Sequence, residues 1–301
     1  MRAYPNGMSD RSSVTTAVDR VSVLEWQRAR VRADRRRSRT DRSTVATDER
    51  ELRREVAAVY RIVANTPDEG AGLQFPTGRE LASRLGYPPA EIGRLPAAAL
   101  DSFTGVGYHL DLADLDVGDV VLEFGCGSGT DALVAAVRVG DSGRVIGVDP
   151  VPEQLANARR CREDVGAANV SLWRATAEAI PLEDGTVDVV LSNGALSLSP
   201  RPERALAEAG RVLRPGGRLA VSELVGERRL PERIRTDPAL WAAGIGGAIR
   251  SDDYAGLLET AGFDDVTVRE NPWYEFVSDR ARGVCQQYGV GSVSVRARRR
   301  R

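Results

Sequence analysis

The chain predicts an α/β fold in which a doubly wound, seven-stranded, mostly parallel sheet follows an N-terminal helical lid. Three observations predict it. Short apolar runs near 119–124, 144–149, 169–174, 187–192 and 218–224 alternate with helical stretches near 131–138, 152–165 and 202–213, the order of repeated strand-helix-strand units. The first run ends in an acid and three alternating glycines, Glu123-Phe124-Gly125-Cys126-Gly127-Ser128-Gly129, then turns at once into a helix that opens on Asp131. The second, Arg144-Val145-Ile146-Gly147-Val148-Asp149, ends in another acid, twenty residues beyond Gly129. Ligands of such sheets bind at the carboxyl ends of the strands, and Glu123, Asp149, Thr176 and Asn193 all fall there.

In chain order, residues 1–45 show no sustained helical or strand period, and Arg28 to Arg42 is a dense basic run, so a disordered basic extension is expected. A basic arm for nucleic acid is the alternative, weakened by the lack of interleaved aromatics. Residues 46–118 read as a helical lid and substrate-loop segment. Leu52, Val56, Val59, Tyr60 and Val63 share one helical face, which stops near Pro67. A second helical stretch, Gly78 to Leu95, carries Leu81, Leu85, Tyr87, Ile92 and Leu95 as core positions and breaks at Pro88-Pro89. The glycine-rich segment from Ser102 to His109 then lies just ahead of the first strand. The main domain is expected over 119–295. After its fifth strand, residues 231–249 are rich in Ala and Gly around Trp241. Ser251 is expected to cap a helix that turns Leu257 and Leu258 inward and stops at Gly262. Val266-Thr267-Val268 and Ser292-Val293-Ser294-Val295 supply the last two strands, and 296–301 reads as a basic tail.

With 301 residues, 42% hydrophobic and 5% aromatic, the chain can bury one substantial core plus an appendage. No apolar stretch approaches the ~20 residues of a membrane span, and no secretory apolar block is seen, so a cytoplasmic location is expected. Three cysteines are too few and too scattered for a disulfide framework or a zinc site, and no metal is expected. The net charge of -1 conceals an asymmetry: residues 1–45 carry eleven Arg against five acids, 296–301 carry five Arg, and 46–295 are left with -12. No lysine occurs. An acidic core disfavours a nucleic-acid substrate.

The glycine loop also fits the looser dinucleotide fingerprint, G-x-G-x-x-A, over Gly127 to Ala132. Two acids argue against a pyrophosphate: Glu123 stands just before the first glycine and Asp131 opens the helix whose N-terminus a phosphate would occupy. A cationic ligand suits both. S-adenosylmethionine carries an ammonium, a sulfonium and no phosphate, so Glu123 would face its methionine end and Asp149 the ribose hydroxyls.

The acid before Gly125-Cys126-Gly127-Ser128-Gly129, the second acid Asp149, the run Thr176-Ala177-Glu178-Ala179-Ile180-Pro181 after the third strand and Asp188 to Asn193 in the fourth resemble class I methyltransferases in kind and order. The resemblance implies a Rossmann-like fold with cofactor contacts from Glu123, Gly125, Gly127, Gly129, Asp131, Asp149, Thr176, Ala177 and Asn193. Thr176 stands where that family commonly carries an Asp for the adenine amino group. From about Val56 to Val268 the chain is further similar to the arsenite methyltransferase family, through Leu85-Gly86-Tyr87, the loop 103–107, Leu196 to Pro200 and Asp237 to Ala248. That family holds trivalent arsenic through cysteine thiolates, soft ligands for a soft metalloid. The equivalent places here hold Val106, Gly194 and Gly244.

These readings predict an S-adenosylmethionine-dependent methyltransferase for a small-molecule acceptor, with carbon or oxygen methylation favoured. An arsenite methyltransferase proper and a non-catalytic cofactor-binding protein of the same fold are the alternatives. Methyl transfer depends mainly on positioning and desolvation. Where a base is needed, His109, the single histidine, is the candidate, with Tyr108 beside it. The glycines 194, 244, 246 and 247 near Trp241 are expected to leave a roomy acceptor pocket. Oligomeric state is left open.

Overall fold

The computed structural model describes residues 21–22, 49–66 and 73–301, so most of the expected basic extension, and Pro67, lie outside the described residues. Within them the chain runs β1 (Val21–Ser22), α1 (Glu49–Asn65), α2 (Gly78–Arg84), α3 (Pro89–Ile92), α4 (Ala97–Asp101), β2 (Val120–Phe124), α5 (Thr130–Val139), β3 (Arg144–Asp149), α6 (Pro152–Asp164), β4 (Val170–Arg174), β5 (Val187–Asn193), α7 (Pro202–Val212) and β6 (Leu213–Gly226). It continues through α8 (Glu232–Arg235), α9 (Pro238–Ala242), β7 (Ile249–Arg250), α10 (Ser251–Thr260), β8 (Phe263–Glu270), α11 (Asp279–Tyr288) and β9 (Val290–Arg299).

One sheet takes the order β1-β8-β9-β6-β5-β2-β3-β4, with the short β7 also paired to β6. Strands β4, β3, β2, β5 and β6 are parallel, and β9 lies antiparallel between β6 and β8. The seven expected strands are thus present, joined by β1 and β7. β2 is flanked by β3 on one side and β5 on the other, so the winding reverses there and opens a crevice at its carboxyl end.

Burial on both faces explains why β2 reads as apolar sequence apart from Glu123. Val121 packs with Leu133 and Val134 of α5, whereas Leu122 and Phe124 face Leu206, Ala209 and Val212 of α7. A third cluster, with Val63, Val106, Leu224, Leu240 and Ile245, joins the lid to the segment after β6. The lid α1 docks on α6: Gln154 Nε2 donates to Tyr60 O at 3.0 Å, Asn157 Nδ2 to Ala64 O at 2.8 Å, and Arg61 meets Glu153 at 2.8 Å.

Three boundaries differ from the sequence reading. β6 starts at Leu213, which already pairs with Val187, and residues 214–217 bulge out before pairing resumes at Arg218. Residues 296–299, expected as tail, complete β9, because Arg296 and Arg298 find outward partners in Asp114 and Asp265 while Val295 and Ala297 stay in the core. Ser251 does not cap α10. It lies inside the helix and donates its hydroxyl to Gly226 O at 3.1 Å, leaving Arg250 at the cap position. Among the described residues no helix is long and apolar enough to cross a membrane.

Candidate functional site

The glycine loop leaves β2 with Gly125, Gly127 and Gly129 all at positive φ, +65°, +51° and +94°. Cys126 N donates to Val148 O at 3.0 Å, which ties the loop to β3. At Gly127 an added Cβ would meet only Gln154 Oε1, at 3.6 Å, so this backbone faces open space. Asp149 closes the turn: Oδ2 accepts from Gly127 N at 3.0 Å and Oδ1 from Val151 N at 2.8 Å. Burial pushes its carboxyl up to about 6 despite both bonds.

Glu123 is 3% exposed, and its Oε2 has no hydrogen-bond partner among the described residues. Burial, then the nearby charges of Asp131 and Asp149, hold its carboxyl well above the ordinary range. Asp131 accepts from Tyr87 OH at 2.5 Å and from Asn193 Nδ2 at 3.0 Å. Asn193 in turn fastens the loop ahead of β2, accepting from Val106 N at 2.8 Å and donating to Gly107 O at 3.0 Å. A buried carboxylate oxygen left unpaired beside two further acids is a site that a cation satisfies and a phosphate does not.

A cavity of about 150 Å³ opens beside this cluster. Gly125, Gly127, Asp149, Thr176, Ala177 and Asn193 lie on its wall, and Arg53, Val56 and Tyr60 of α1 roof it. Of the expected cofactor residues, Glu123, Gly129 and Asp131 do not line it. Gly129 instead lets the loop approach Ala158 on α6. Polar contacts seal the roof: Arg53 pairs with Glu178 at 3.0 Å, Ser199 also bonds Glu178, and the Tyr60 hydroxyl is hydrogen-bonded to the Thr104 side chain.

Neither expected catalytic residue reaches the cavity. Tyr108 directs its hydroxyl to Glu91 at 3.1 Å and Arg138 at 2.5 Å. His109 turns the other way into the core, fully buried, with Nδ1 3.5 Å from Ser222 Oγ and Nε2 unpartnered among the described residues. Burial lowers its proton affinity.

Three further residues hold the site together. Tyr87 and Ser102 were legible only as core and loop, yet Tyr87 bridges Asp131 and Asn193, and Ser102 Oγ donates to Ser128 Oγ at 2.6 Å. Glu223, near the end of β6, accepts from Leu196 N and Ser197 N at 3.1 Å each, Ser197 Oγ at 2.9 Å and Ser192 Oγ at 3.0 Å. Burial pushes its carboxyl up to about 7. The signal that marks Glu123 and Asp149, an acid closing an apolar strand, marks Glu223 as well.

Val106, Gly194 and Gly244, the places that the family resemblance sets against arsenic-binding cysteines, lie close together. A Cβ on Gly194 would stand 3.6 Å from a Val106 methyl, Gly244 faces Leu224 and Ser197, and Val106 packs in one cluster with Leu224. The glycines there do not open a roomy pocket, contrary to expectation. A Cβ on Gly244 would lie 2.9 Å from Leu224 Cδ1, on Gly246 3.1 Å from Trp241, and on Gly247 2.0 Å from Ser197 O. Their small size lets the segment 241–247 pack closely on loop 194–198.

A reversal of strand order, a glycine turn of positive φ and an acid closing the next strand define a nucleoside-binding α/β protein of the doubly wound class. Comparison with known proteins narrows this. Residues 115–262 match the family described as "Methyltransferase domain". The chain is 35% identical over 199 residues to an arsenite methyltransferase of Halobacterium salinarum, covering 66% of this chain and 51% of that one. It is 40% identical over 158 residues to an arsenite methyltransferase of Aquipseudomonas alcaligenes, covering 50% and 46%. The crystal structure of an arsenic(III) S-adenosylmethionine methyltransferase from Chlamydomonas reinhardtii superposes with a TM-score of 0.56 at 30% identity, over 75% of each chain. The chain belongs to the class I S-adenosylmethionine-dependent methyltransferases, and it spans about half the length of the two bacterial and archaeal relatives.

Proposed function

We propose that this protein transfers the methyl group of S-adenosylmethionine to a small organic acceptor, at carbon or oxygen, and that arsenite is not that acceptor. The observation that carries the donor half is the orphaned Glu123 Oε2 behind a glycine loop, with Asp131 and Asp149 close by. In this reading Glu123 and Asp131 set the negative potential for the ammonium and sulfonium, Asp149 binds the ribose hydroxyls, and Thr176 and Ala177 border the adenine. S-adenosylmethionine supplies the activated methyl group, and the lid α1 excludes water from it.

The acceptor half rests on the convergence of Val106, Gly194 and Gly244 without a single sulfur. Trivalent arsenic calls for several thiolates, and the three cysteines lie elsewhere: Cys126 in the glycine loop, Cys161 on α6 and Cys285 on α11. A cytoplasmic setting and the exclusion of nucleic acid, argued from the acidic core, belong to the same proposal.

Titration calorimetry with S-adenosylmethionine, S-adenosylhomocysteine and NAD tests the donor half, and tritiated methyl transfer with arsenite tests the acceptor half. Binding of the two methionine-derived ligands and silence with NAD and arsenite are expected. NAD binding, or labelled methylarsenicals, would overturn the corresponding half.

A further inference from the structure

Part of the cavity wall is held by a residue that does not border it, and the role inferred for that residue depends on the donor site proposed above. We propose that Glu223 is a positioning residue for methyl transfer: its carboxyl group fixes the turn Leu196–Leu198, and with it the wall that residues 193–199 present to the donor, a task that the isosteric glutamine cannot take over.

Asn193, Ala195, Leu198 and Ser199 border the cavity, and between them the chain makes a single 3-10 turn, Leu196–Leu198. The first N–H groups of such a turn find no acceptor within it, and a side-chain oxygen on the residue ahead commonly supplies one. Ala195 stands at that place and has no such oxygen. Glu223, 1% exposed on the neighbouring strand β6, supplies it instead. Its Oε1 accepts from Leu196 N at 3.1 Å and Ser192 Oγ at 3.0 Å, and its Oε2 from Ser197 N at 3.1 Å and Ser197 Oγ at 2.9 Å.

The turn held in this way meets both the glycine loop and the lid. A Cβ on Gly125 would lie 2.7 Å from Ala195 Cβ, so the residue ahead of the turn already rests against the first glycine of the loop. At the other end Leu198 O accepts from Trp241 Nε1 at 3.2 Å, and Ser199 bonds Glu178, which pairs with Arg53 of α1. A shift of the turn therefore disturbs the cradle and the roof together.

The four donors explain why the group is a carboxyl. Each oxygen faces one backbone N–H, which can only donate, and one hydroxyl, which can rotate to accept. The carboxylate accepts from all four. With a proton added it donates to a serine hydroxyl and keeps a lone pair for each N–H, so the turn is held in both states, although burial raises the group to about 7. Tyr60 of α1 and Tyr254 of α10, the titratable groups that feel its charge, are themselves kept protonated by burial. A glutamine must turn its NH2 toward Leu196 N or Ser197 N, donor against donor.

Calorimetry of the unmodified full chain with S-adenosylhomocysteine comes first, and a failure to bind there would sink the underlying donor reading instead. Given binding, Glu223→Gln is expected to lose about tenfold or more in affinity while remaining folded by circular dichroism. The indole N–H resonance of Trp241, assigned with Trp241→Phe, should shift in the same variant, because that indole is bonded to Leu198 O. Ser192→Ala, which leaves both N–H partners in place, should bind within about threefold of the unmodified chain. The unmodified chain should show no step in affinity at the ionisation of Glu223, about 7. Full affinity in Glu223→Gln, an affinity loss with the Trp241 resonance unmoved, or a step near pH 7 would each overturn the proposal. Should Glu223→Gln not fold, amide exchange in the unmodified chain decides. Leu196 and Ser197 are expected to exchange at least ~100-fold more slowly than an unstructured peptide, and unprotected exchange at either would overturn the proposal.

Discussion

The glycine-loop cluster and the loops proposed to receive the acceptor are built on opposite plans. The glycine-loop cluster is a single strand-turn-helix with one neighbouring strand, and behind the cavity wall it retains a buried carboxyl oxygen with no partner among the described residues. The loops at 102–109, 193–199 and 237–248, on which the proposal about the acceptor rests, are instead packed closely on one another: Gly247 admits Ser197 O, Gly244 admits Leu224, and Asn193 bolts down Val106 and Gly107. A site that stores unsatisfied polarity awaits its ligand, whereas a site packed to contact has to be remade by one.

That contrast can be broken most forcibly at Gly127. Gly127→Val places a branched side chain in the cradle at a φ of +51°, and S-adenosylhomocysteine affinity should fall by at least ~100-fold in calorimetry. Retention of affinity would remove the glycine loop from the site.

Asp149→Ala should cost about 10–100-fold, since a hydrogen bond to a charged group contributes ~1.5–3 kcal/mol. The pH dependence follows from its folded carboxyl standing near 6, above the ordinary value of 3.8. Folding therefore takes up a proton, and that contribution to stability is present at low pH and lost as pH rises through about 6. Ligand binding requires the ionised form and runs the other way: affinity holds above about pH 6 and declines below it, and the decline should vanish in Asp149→Ala.

At the junction of the two regions, Tyr87→Phe removes the hydroxyl that bridges Asp131 and Asn193. A loss of ~1–2 kcal/mol in urea unfolding is expected, with little change in S-adenosylhomocysteine affinity. A large affinity loss without destabilisation would make Tyr87 a ligand contact instead. The smallest effect belongs to arsenite, which should leave the melting temperature unmoved, because a ligand without a site adds nothing to the folded state.

The same division explains what could be read in the sequence. Glu123, the three glycines, Asp149 and Asn193 lie at the carboxyl ends of three strands that are neighbours in the sheet, positions that local pattern alone makes legible. Tyr87 reads as a core residue because its ring is one, and only its hydroxyl reaches the network. Tyr108 and His109 are neighbours in the chain, yet the backbone sends one to Glu91 and Arg138 and the other to Ser222. The glycines around Trp241 suggest space because the sequence does not show which backbone they face, and Ser197, about fifty residues away, supplies it. Glu223 carries the same strand-end signature as Glu123, yet its four donors come from residues some thirty positions earlier, a convergence that only the folded sheet displays.

Titration calorimetry of the full chain with S-adenosylhomocysteine at neutral pH tests the central claim most directly, because it asks whether the unsatisfied cluster is the one that binds. One molecule bound per chain, competed by S-adenosylmethionine and not by NAD, is the predicted result. The absence of binding heat would contradict the account.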